Sequence, residues 1–112
     1  MGLLSGKFGS GSQLPKSDVR AAGHSWVRDF VDGKPRPEVL QKIGAIRDLL
    51  QTGGRTTAQG ALGWLLARSE NTFPIPGFKT EAQVRDNLGA LQLGALPPPV
   101  MQEIDGVLAE LG

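Results

Sequence analysis

The run Thr72–Ile75 restricts the possible folds of this chain more than any other feature of the sequence. It is short and largely apolar, and the Pro76-Gly77 break after it is one that strand and helix interiors both avoid, so it predicts a short buried strand. A single strand cannot satisfy its own backbone hydrogen bonds. Either the chain is all-helical and this run is not a strand, or the strand pairs with others that lie outside the chain.

Helical periods occupy most of the remaining sequence. Apolar residues recur at three- and four-residue steps, and glycine or proline marks the ends of each stretch. Four helices are therefore predicted: from Pro37 to the stop at Thr52-Gly53-Gly54, from Thr56 to Arg68, from near Thr80 to near Gly94, and after Leu96-Pro97-Pro98-Pro99.

The second and third of these helices begin with the same local signal. Thr56 with Gln59, and Thr80 with Gln83, have the spacing of a capping box, in which a hydroxyl and an amide reciprocally satisfy free backbone N–H groups. The second helix also has glycines in its interior, each costing about 1 kcal/mol relative to alanine. Such glycines predict that another helix or a sheet approaches this helix closely.

Lys79 lies beside the predicted helix start at Thr80. Free N–H groups and the positive end of the helix dipole favour an anion there, and the lysine adds a full positive charge. Phosphate is the obvious candidate ligand. The alternative is an ordinary strand-to-helix loop with a solvated lysine, and the local spacing does not separate the two.

The composition excludes several classes of protein. At 112 residues the chain can bury one modest core. Its 12 basic and 11 acidic residues leave no strong field, so neither nucleic acid nor an anionic membrane surface is an expected partner. Absence of cysteine excludes disulfides and thiolate metal sites and fits a reducing cytoplasm. No apolar stretch has membrane-spanning length, so a soluble, cytoplasmic protein is expected.

Residues 1–35 are rich in glycine, serine and proline and predict a long loop. Loops of this length are uncommon inside compact domains unless they have a role such as closing over a ligand. The only histidine, His24, lies in this loop without a second metal ligand nearby, which favours a solvated or capping residue. The chain has no tyrosine and only this one histidine, so most arrangements of acid–base catalytic residues cannot be assembled from it.

Several segments together resemble one known family, the aldo-keto reductases, which are NADP-dependent oxidoreductases built on a (β/α)8 barrel. They resemble its G-x-L-S-G-K segment after the seventh strand, its helix before the last strand, and its I-P-G cofactor segment. Any one of the motifs alone would be weak, but their order makes the set specific. The matching residues are Gly2-Leu3-Leu4-Ser5-Gly6-Lys7-Phe8, Thr57–Ala67, and Phe73-Pro74-Ile75-Pro76-Gly77-Phe78-Lys79-Thr80 with Gln83, Asp86, Asn87 and the following Leu88-Gly89-Ala90-Leu91.

The resemblance implies an α/β fold, specifically the C-terminal portion of a TIM barrel. Such a barrel needs about 250 residues, so this chain would be a fragment, mostly helical, with one short barrel strand near 72–75. Residues 1–35 would form a loop that covers the cofactor. Residues 36–112 would supply the C-terminal barrel helices, the last strand and the segment for the adenosine end of NADP(H).

The resemblance also implies which residues bind the cofactor. Lys79 would contact the 2′-phosphate of the adenosine ribose, and the helix from Thr80 would supply backbone donors to it. Gly77 would let the backbone approach the ligand, and Asp86 stands where glutamate is commoner in the family. Residues near the N-terminus would lie over the pyrophosphate, with Arg20 a weaker candidate on the adenine side. The full implied set is Gly2, Ser5, Lys7, Arg20, Gly77, Lys79, Gln83, Asp86 and Asn87.

The family's catalytic aspartate, tyrosine, lysine and histidine belong to the earlier part of the barrel, so no catalytic residue or metal ligand is assigned here. The complete protein would transfer hydride reversibly between the nicotinamide and an aldehyde or ketone, and the fragment alone is expected to be inactive. Association with the missing N-terminal part is a further implied partnership. The alternative is a non-enzymatic helical module or pseudo-enzyme fragment that acts through nucleotide or protein binding; its unpaired apolar faces would favour a partner.

Overall fold

The structure is a computed structural model that describes residues 3–5, 11–22, 24 and 28–110. The chain forms two compact units, Met1–Ala45 and Ile46–Gly112. No helix within the described ranges is long and apolar enough to cross a membrane. The elements in chain order are β1 (Phe30–Val31), β2 (Lys34–Pro35), α1 (Pro37–Leu50), a 3-10 turn (Thr52–Gly54), α2 (Thr57–Arg68), α3 (Glu81–Leu93) and α4 (Pro98–Ala109).

A short β-hairpin organises the first unit. β1 and β2 pair antiparallel with Phe30 opposite Pro35, and the two residues between them, Asp32 and Gly33, have φ of 51° and 74°. Two-residue hairpin turns need positive φ at both positions, which Asp-Gly supplies at little steric cost. The hairpin lies within residues 1–35, which the sequence predicted to be a loop throughout.

The core of the first unit is small. Leu3, Leu14 and Phe30 are buried together, and Val39 and Leu40 of α1 pack against them. The backbone N–H of Leu14 donates to the carbonyl oxygen of Gly33 at 3.0 Å, which ties the preceding loop to the hairpin. Burial of these few side chains holds a loop-rich segment in one arrangement.

Close backbone approach shapes the second unit, as the glycines of α2 predict. α2 packs chiefly against α3 and also contacts α4. A Cβ atom added to Gly60 would collide with the backbone carbonyl of Leu50, and one added to Gly63 would lie 3.0 Å from the carbonyl oxygen of Gly94. Glycine therefore permits neighbouring backbone to lie directly on α2.

The predicted helix boundaries are confirmed. Thr56 caps α2 and Thr80 caps α3, each in a complete capping box with Gln59 and Gln83 respectively. α3 ends at Gly94, where φ is 73°, and its N–H donates to the carbonyl of Ala90. α4 begins with proline at its first helical positions, where a missing N–H costs nothing.

The strand predicted near 72–75 does not form in this chain. Residues 72–78 carry no regular secondary structure, and Phe73 and Ile75 are 88% and 90% exposed. A strand requires a hydrogen-bonded neighbour, and the only ladder among the described residues is the β1–β2 hairpin. The run 72–75 is largely apolar, as the sequence shows, but no sheet in the described part of the chain pairs with it or buries its side chains.

Candidate functional site

One groove in the second unit brings together most of the residues implicated by the sequence. It has a volume of about 510 Å³, within the roughly 300–1,000 Å³ typical of small-molecule sites. Residues at steps of three and four share a helix face, so α3 presents several side chains to the groove at once. The lining residues are Ala58, Gly77, Phe78, Lys79, Gln83, Asp86 and Asn87.

The side chain of Gln83 organises the wall at the start of α3. Its Oε1 accepts hydrogen bonds from the backbone N–H of Lys79 at 2.6 Å and of Thr80 at 3.3 Å. In return, the backbone N–H of Gln83 donates to Oγ1 of Thr80 at 3.2 Å. Three backbone donors near the helix start are therefore already satisfied within the capping box, and the ammonium of Lys79 becomes the main donor available to an anion.

Lys79 places an exposed positive charge on the groove. Within the described part of the chain its ammonium forms no ion pair. The acidic residue in the first turn of α3, Glu81, is instead bound by Arg85, with 2.7 Å between Nη2 and Oε1. This ion pair offsets a negative charge that would otherwise oppose an anion at the helix start.

Asn87 fastens the loop before α3 to the helix. Its Nδ2 donates to the carbonyl oxygen of Gly77 at 3.3 Å. A Cβ atom at Gly77 would meet nothing within 4 Å. Packing within the described chain therefore does not require glycine at this position, and the space at the Gly77 Cβ position is open.

Asp86 is held by two residues that the sequence identified only as helix caps. Oγ1 of Thr56 donates to its carboxylate, with distances of 2.9 and 3.0 Å to Oδ1 and Oδ2. Nε2 of Gln59 donates to the backbone carbonyl of Asp86 at 2.9 Å. Gly89 makes room for this amide, because a Cβ there would collide with Nε2 of Gln59. In the sequence, the Thr-x-x-Gln spacing of Thr56 and Gln59 predicts a helix cap. It does not indicate that these residues contact α3.

The remaining predicted residues belong to the first unit. Gly2 and Lys7 lie outside the described residues, and Ser5 is exposed. Arg20 forms a close ion pair with Asp18, with Nε to Oδ1 at 2.8 Å and Nη2 to Oδ2 at 2.6 Å, and its guanidinium lies 5.9 Å from the centroid of the Phe30 ring. Hydrogen bonds from the Arg20 side chain and backbone lower the pKa of the Asp18 carboxyl to about 2. Much of the guanidinium's hydrogen-bonding capacity is therefore engaged locally.

A second, apolar cavity of about 240 Å³ lies between α2, α3 and the segment before α3. Its lining is almost entirely hydrocarbon, and two of the lining side chains, Phe73 and Leu91, are largely exposed. No group of three or more histidine, cysteine, aspartate or glutamate side chains in the described ranges is arranged to hold a metal ion.

Comparison with known proteins identifies two reductases and a potassium channel subunit as similar to the chain. The chain is 32% identical over 91 residues to the chloroplastic pyridoxal reductase of Arabidopsis thaliana, covering 81% of this chain and 22% of that protein. It is 28% identical over 93 residues to the aldo-keto reductase yakc of Schizosaccharomyces pombe, whose name specifies NADP(+), covering 82% and 26%. It is also 30% identical over 112 residues to a probable voltage-gated potassium channel subunit beta of Arabidopsis thaliana, covering 96% and 32%.

The chain thus spans between about a fifth and a third of the length of these relatives. No solved structure matches it significantly. The model of the aldo/keto reductase family matches residues 1–109, which is nearly the whole chain. The chain therefore belongs to the aldo/keto reductase family.

Proposed function

We propose that the groove lined by Gly77, Lys79, Asp86 and Asn87 binds the adenosine 2′-phosphate end of NADP(H). The chain would then be the C-terminal, cofactor-binding part of an NADP-dependent aldo-keto reductase. The observation that carries this proposal is the convergence of an unpaired cation, a carboxylate and an amide on one groove of suitable volume. Membership of the family, and the NADP(+) in the name of one relative, add support.

The residues present fit this half of the cofactor. Lys79 supplies the charge that a phosphate dianion requires, and Gly77 leaves its backbone accessible because no packing contact occupies the Cβ position. Asp86 keeps free acceptor capacity after binding Thr56, because a carboxylate offers about four lone-pair sites. Exposed Phe78 adds an aromatic face on which a purine can stack.

Each side chain has a defined part in this arrangement. Lys79 holds the 2′-phosphate, while Asp86 accepts a hydrogen bond from the adenine amino group beside Asn87. Gln83 mainly keeps the loop and helix start in place through its bonds to Lys79 and Thr80. In the complete barrel, residues 1–35 would supply the cofactor-covering segment, with Gly2, Ser5 and Lys7 as candidate contacts and Arg20 as a weaker one.

When bound, NADPH supplies a hydride for the reversible reduction of a carbonyl substrate in the complete barrel. This chain contributes binding and orientation of the adenosine end, and the catalytic residues lie in the remainder of the barrel. Residues 36–112 would form its C-terminal helices and cofactor segment. The proposed partners are accordingly NADP(H) and the N-terminal part of the barrel.

The substitution Lys79→Ala tests the 2′-phosphate assignment. Calorimetric titration with NADP and with NAD, which lacks that phosphate, should show a loss of about tenfold for NADP and little change for NAD, because a charge-assisted hydrogen bond is worth about 1.5–3 kcal/mol. Lys42→Ala removes the same charge from a residue that does not line the groove and serves as the control. Equal losses for both nucleotides would remove the proposed role from Lys79.

A second candidate function is association with another polypeptide. Phe73, Ile75 and Leu91 are 88%, 90% and 68% exposed on the second unit. Apolar side chains this exposed, beside a cavity with a hydrocarbon lining, are typical of a protein interface. The test is co-expression with the N-terminal part of a barrel of this family: a complex that Phe73→Ser and Ile75→Ser weaken supports the interface, whereas no complex with the unaltered chain contradicts it.

A further inference from the structure

Thr56 makes two hydrogen bonds that together fix the direction of its hydroxyl proton. Its Oγ1 accepts from the backbone N–H of Gln59 at 3.2 Å, as a helix cap does. The same oxygen lies 2.9 and 3.0 Å from the two carboxylate oxygens of Asp86. A carboxylate can only accept, so the hydroxyl proton is directed at Asp86 while a lone pair serves the cap.

Gln59 holds the backbone of the same residue. Its Nε2 donates to the carbonyl oxygen of Asp86 at 2.9 Å, and its Oε1 accepts from the backbone N–H of Thr56 at 3.1 Å. The cap of α2 therefore contacts Asp86 at both its backbone and its carboxylate. The bond from Thr56 to the carboxylate restricts rotation of the side chain about χ1 and χ2, and the bond from Gln59 holds the backbone from which that side chain projects.

This restriction bears on recognition in the groove. A carboxylate on a helix surface normally samples several rotamers, and a ligand must select one of them when it binds. Asp86 loses much of that freedom before any ligand arrives, because the hydroxyl of Thr56 binds its carboxylate while Asp86 also lines the groove. Preorganisation of this kind strengthens a directional contact without adding atoms to it.

We propose that Thr56 is a positioning residue for the nucleotide site, which orients the Asp86 carboxylate so that the groove selects a base carrying an exocyclic amino group. This inference rests on the proposed NADP function and deepens it. Thr56 does not line the groove, so its effect on the ligand passes through Asp86. The base selected is adenine rather than hypoxanthine, whose oxygen at the same position cannot donate a hydrogen bond.

The experiment compares two nucleotides that differ only at that position. The purified chain is titrated by calorimetry with NADP and with deamino-NADP, in which hypoxanthine replaces adenine. Both carry the 2′-phosphate, so the contribution of Lys79 cancels in the ratio of their dissociation constants. For the unaltered chain we expect NADP to bind about tenfold more tightly, the loss of one hydrogen bond to a charged group.

Three variants separate positioning from helix capping. Thr56→Ser keeps both the cap and the donor and should retain the ratio. Thr56→Gly keeps a residue type that is favourable at a helix start but has no hydroxyl to donate. Thr56→Val loses both, so both variants should reduce the ratio to about twofold or less, because an unrestrained carboxylate then makes the contact. Thermal unfolding of each variant records its stability independently.

Each outcome decides one question. A ratio lost in Thr56→Gly and Thr56→Val and kept in Thr56→Ser supports the positioning role. A ratio lost only in Thr56→Val overturns it in favour of helix capping, and a ratio kept in every variant overturns it outright. If the unaltered chain binds neither nucleotide, the proposed NADP function fails, and the positioning role fails with it.

Discussion

The backbone N–H of Lys79 donates a 2.6 Å hydrogen bond to Oε1 of Gln83, the residue that completes the capping box of α3. Lys79, which carries the unpaired positive charge of the groove, is thereby bound to α3, the helix that carries the Asp86 carboxylate. The loop and α3 therefore form one local structure, and the position of the cation depends on an amide four residues away.

This dependence predicts that substitutions at Gln83 can separate an effect on stability from an effect on binding. Gln83→Ala removes the acceptor for two backbone N–H groups and should destabilise the chain by about 1 kcal/mol. Gln83→Glu keeps the acceptor and favours the helix dipole, so stability should be retained, but its negative charge should weaken NADP binding. Urea unfolding and calorimetry measure the two effects, and retained NADP affinity in Gln83→Glu would place the phosphate elsewhere.

Gly60 should not tolerate a methyl group. In Gly60→Ala the added Cβ would collide with the backbone carbonyl of Leu50, which cannot rotate away as a side chain would. We expect a loss of about 2 kcal/mol or more, in the range of overpacked cores. Gly106→Ala is the matched control, because Gly106 lies in α4 with nothing within 4 Å of its Cβ position.

The control substitution Gly106→Ala should instead increase the stability of the chain. Alanine is favoured over glycine inside a helix by up to about 1 kcal/mol, so Gly106→Ala should raise the unfolding midpoint in urea. Equal stabilisation by both substitutions would show that α2 and the end of α1 are not in backbone contact.

Arg55 should contribute more to stability than an exposed arginine. It is 9% exposed, and its Nη2 donates to the carbonyls of Leu93 at 3.0 Å and Ala95 at 3.4 Å at the C-terminal end of α3. Arg55→Met keeps much of the apolar stem and removes the donors, so we expect a loss of about 2 kcal/mol. Arg85→Ala removes an arginine from an exposed ion pair and should change stability by less than about 1 kcal/mol.

Acid should weaken the first unit through Asp18. Its pKa is lowered from 3.8 to about 2 in the folded chain, so the unfolded chain binds the proton more readily. The stabilisation is therefore complete above the ordinary pKa and is lost as pH falls from about 4 to about 2. NMR signals of the first unit should show this acid dependence, and Asp18→Asn should reduce it; an unchanged profile in Asp18→Asn would assign the acid sensitivity to other groups.

The sequence predicted the features whose causes are local. Both capping boxes span only three residues, and the helices they begin are found where the spacing places them. The prediction of a strand near 72–75 was wrong for this chain. A strand forms only with hydrogen-bonded neighbouring strands, and its own residues do not specify those neighbours. The convergence of Lys79, Asp86 and Asn87 followed from helical spacing together with the family resemblance.

Contacts between residues that are distant in the sequence could not be predicted from these local patterns. Thr56 and Asp86 are 30 residues apart, and Arg55 and Leu93 are 38 apart. In the sequence, Thr56 is explained as a helix cap, and no local pattern singles out Arg55. Only the packing of α2 on α3 gives these side chains their second partners.

The adjacency of Arg55 and Thr56 has a consequence for the dynamics of the second unit. One residue binds the carbonyls at the end of α3, and the next binds Asp86 in its middle. The first turn of α2 cannot fray without releasing α3 at both points, so the two should open together as one cooperative unit in hydrogen exchange. A nucleotide that binds Asp86 would then slow amide exchange at Arg55, which does not itself line the groove.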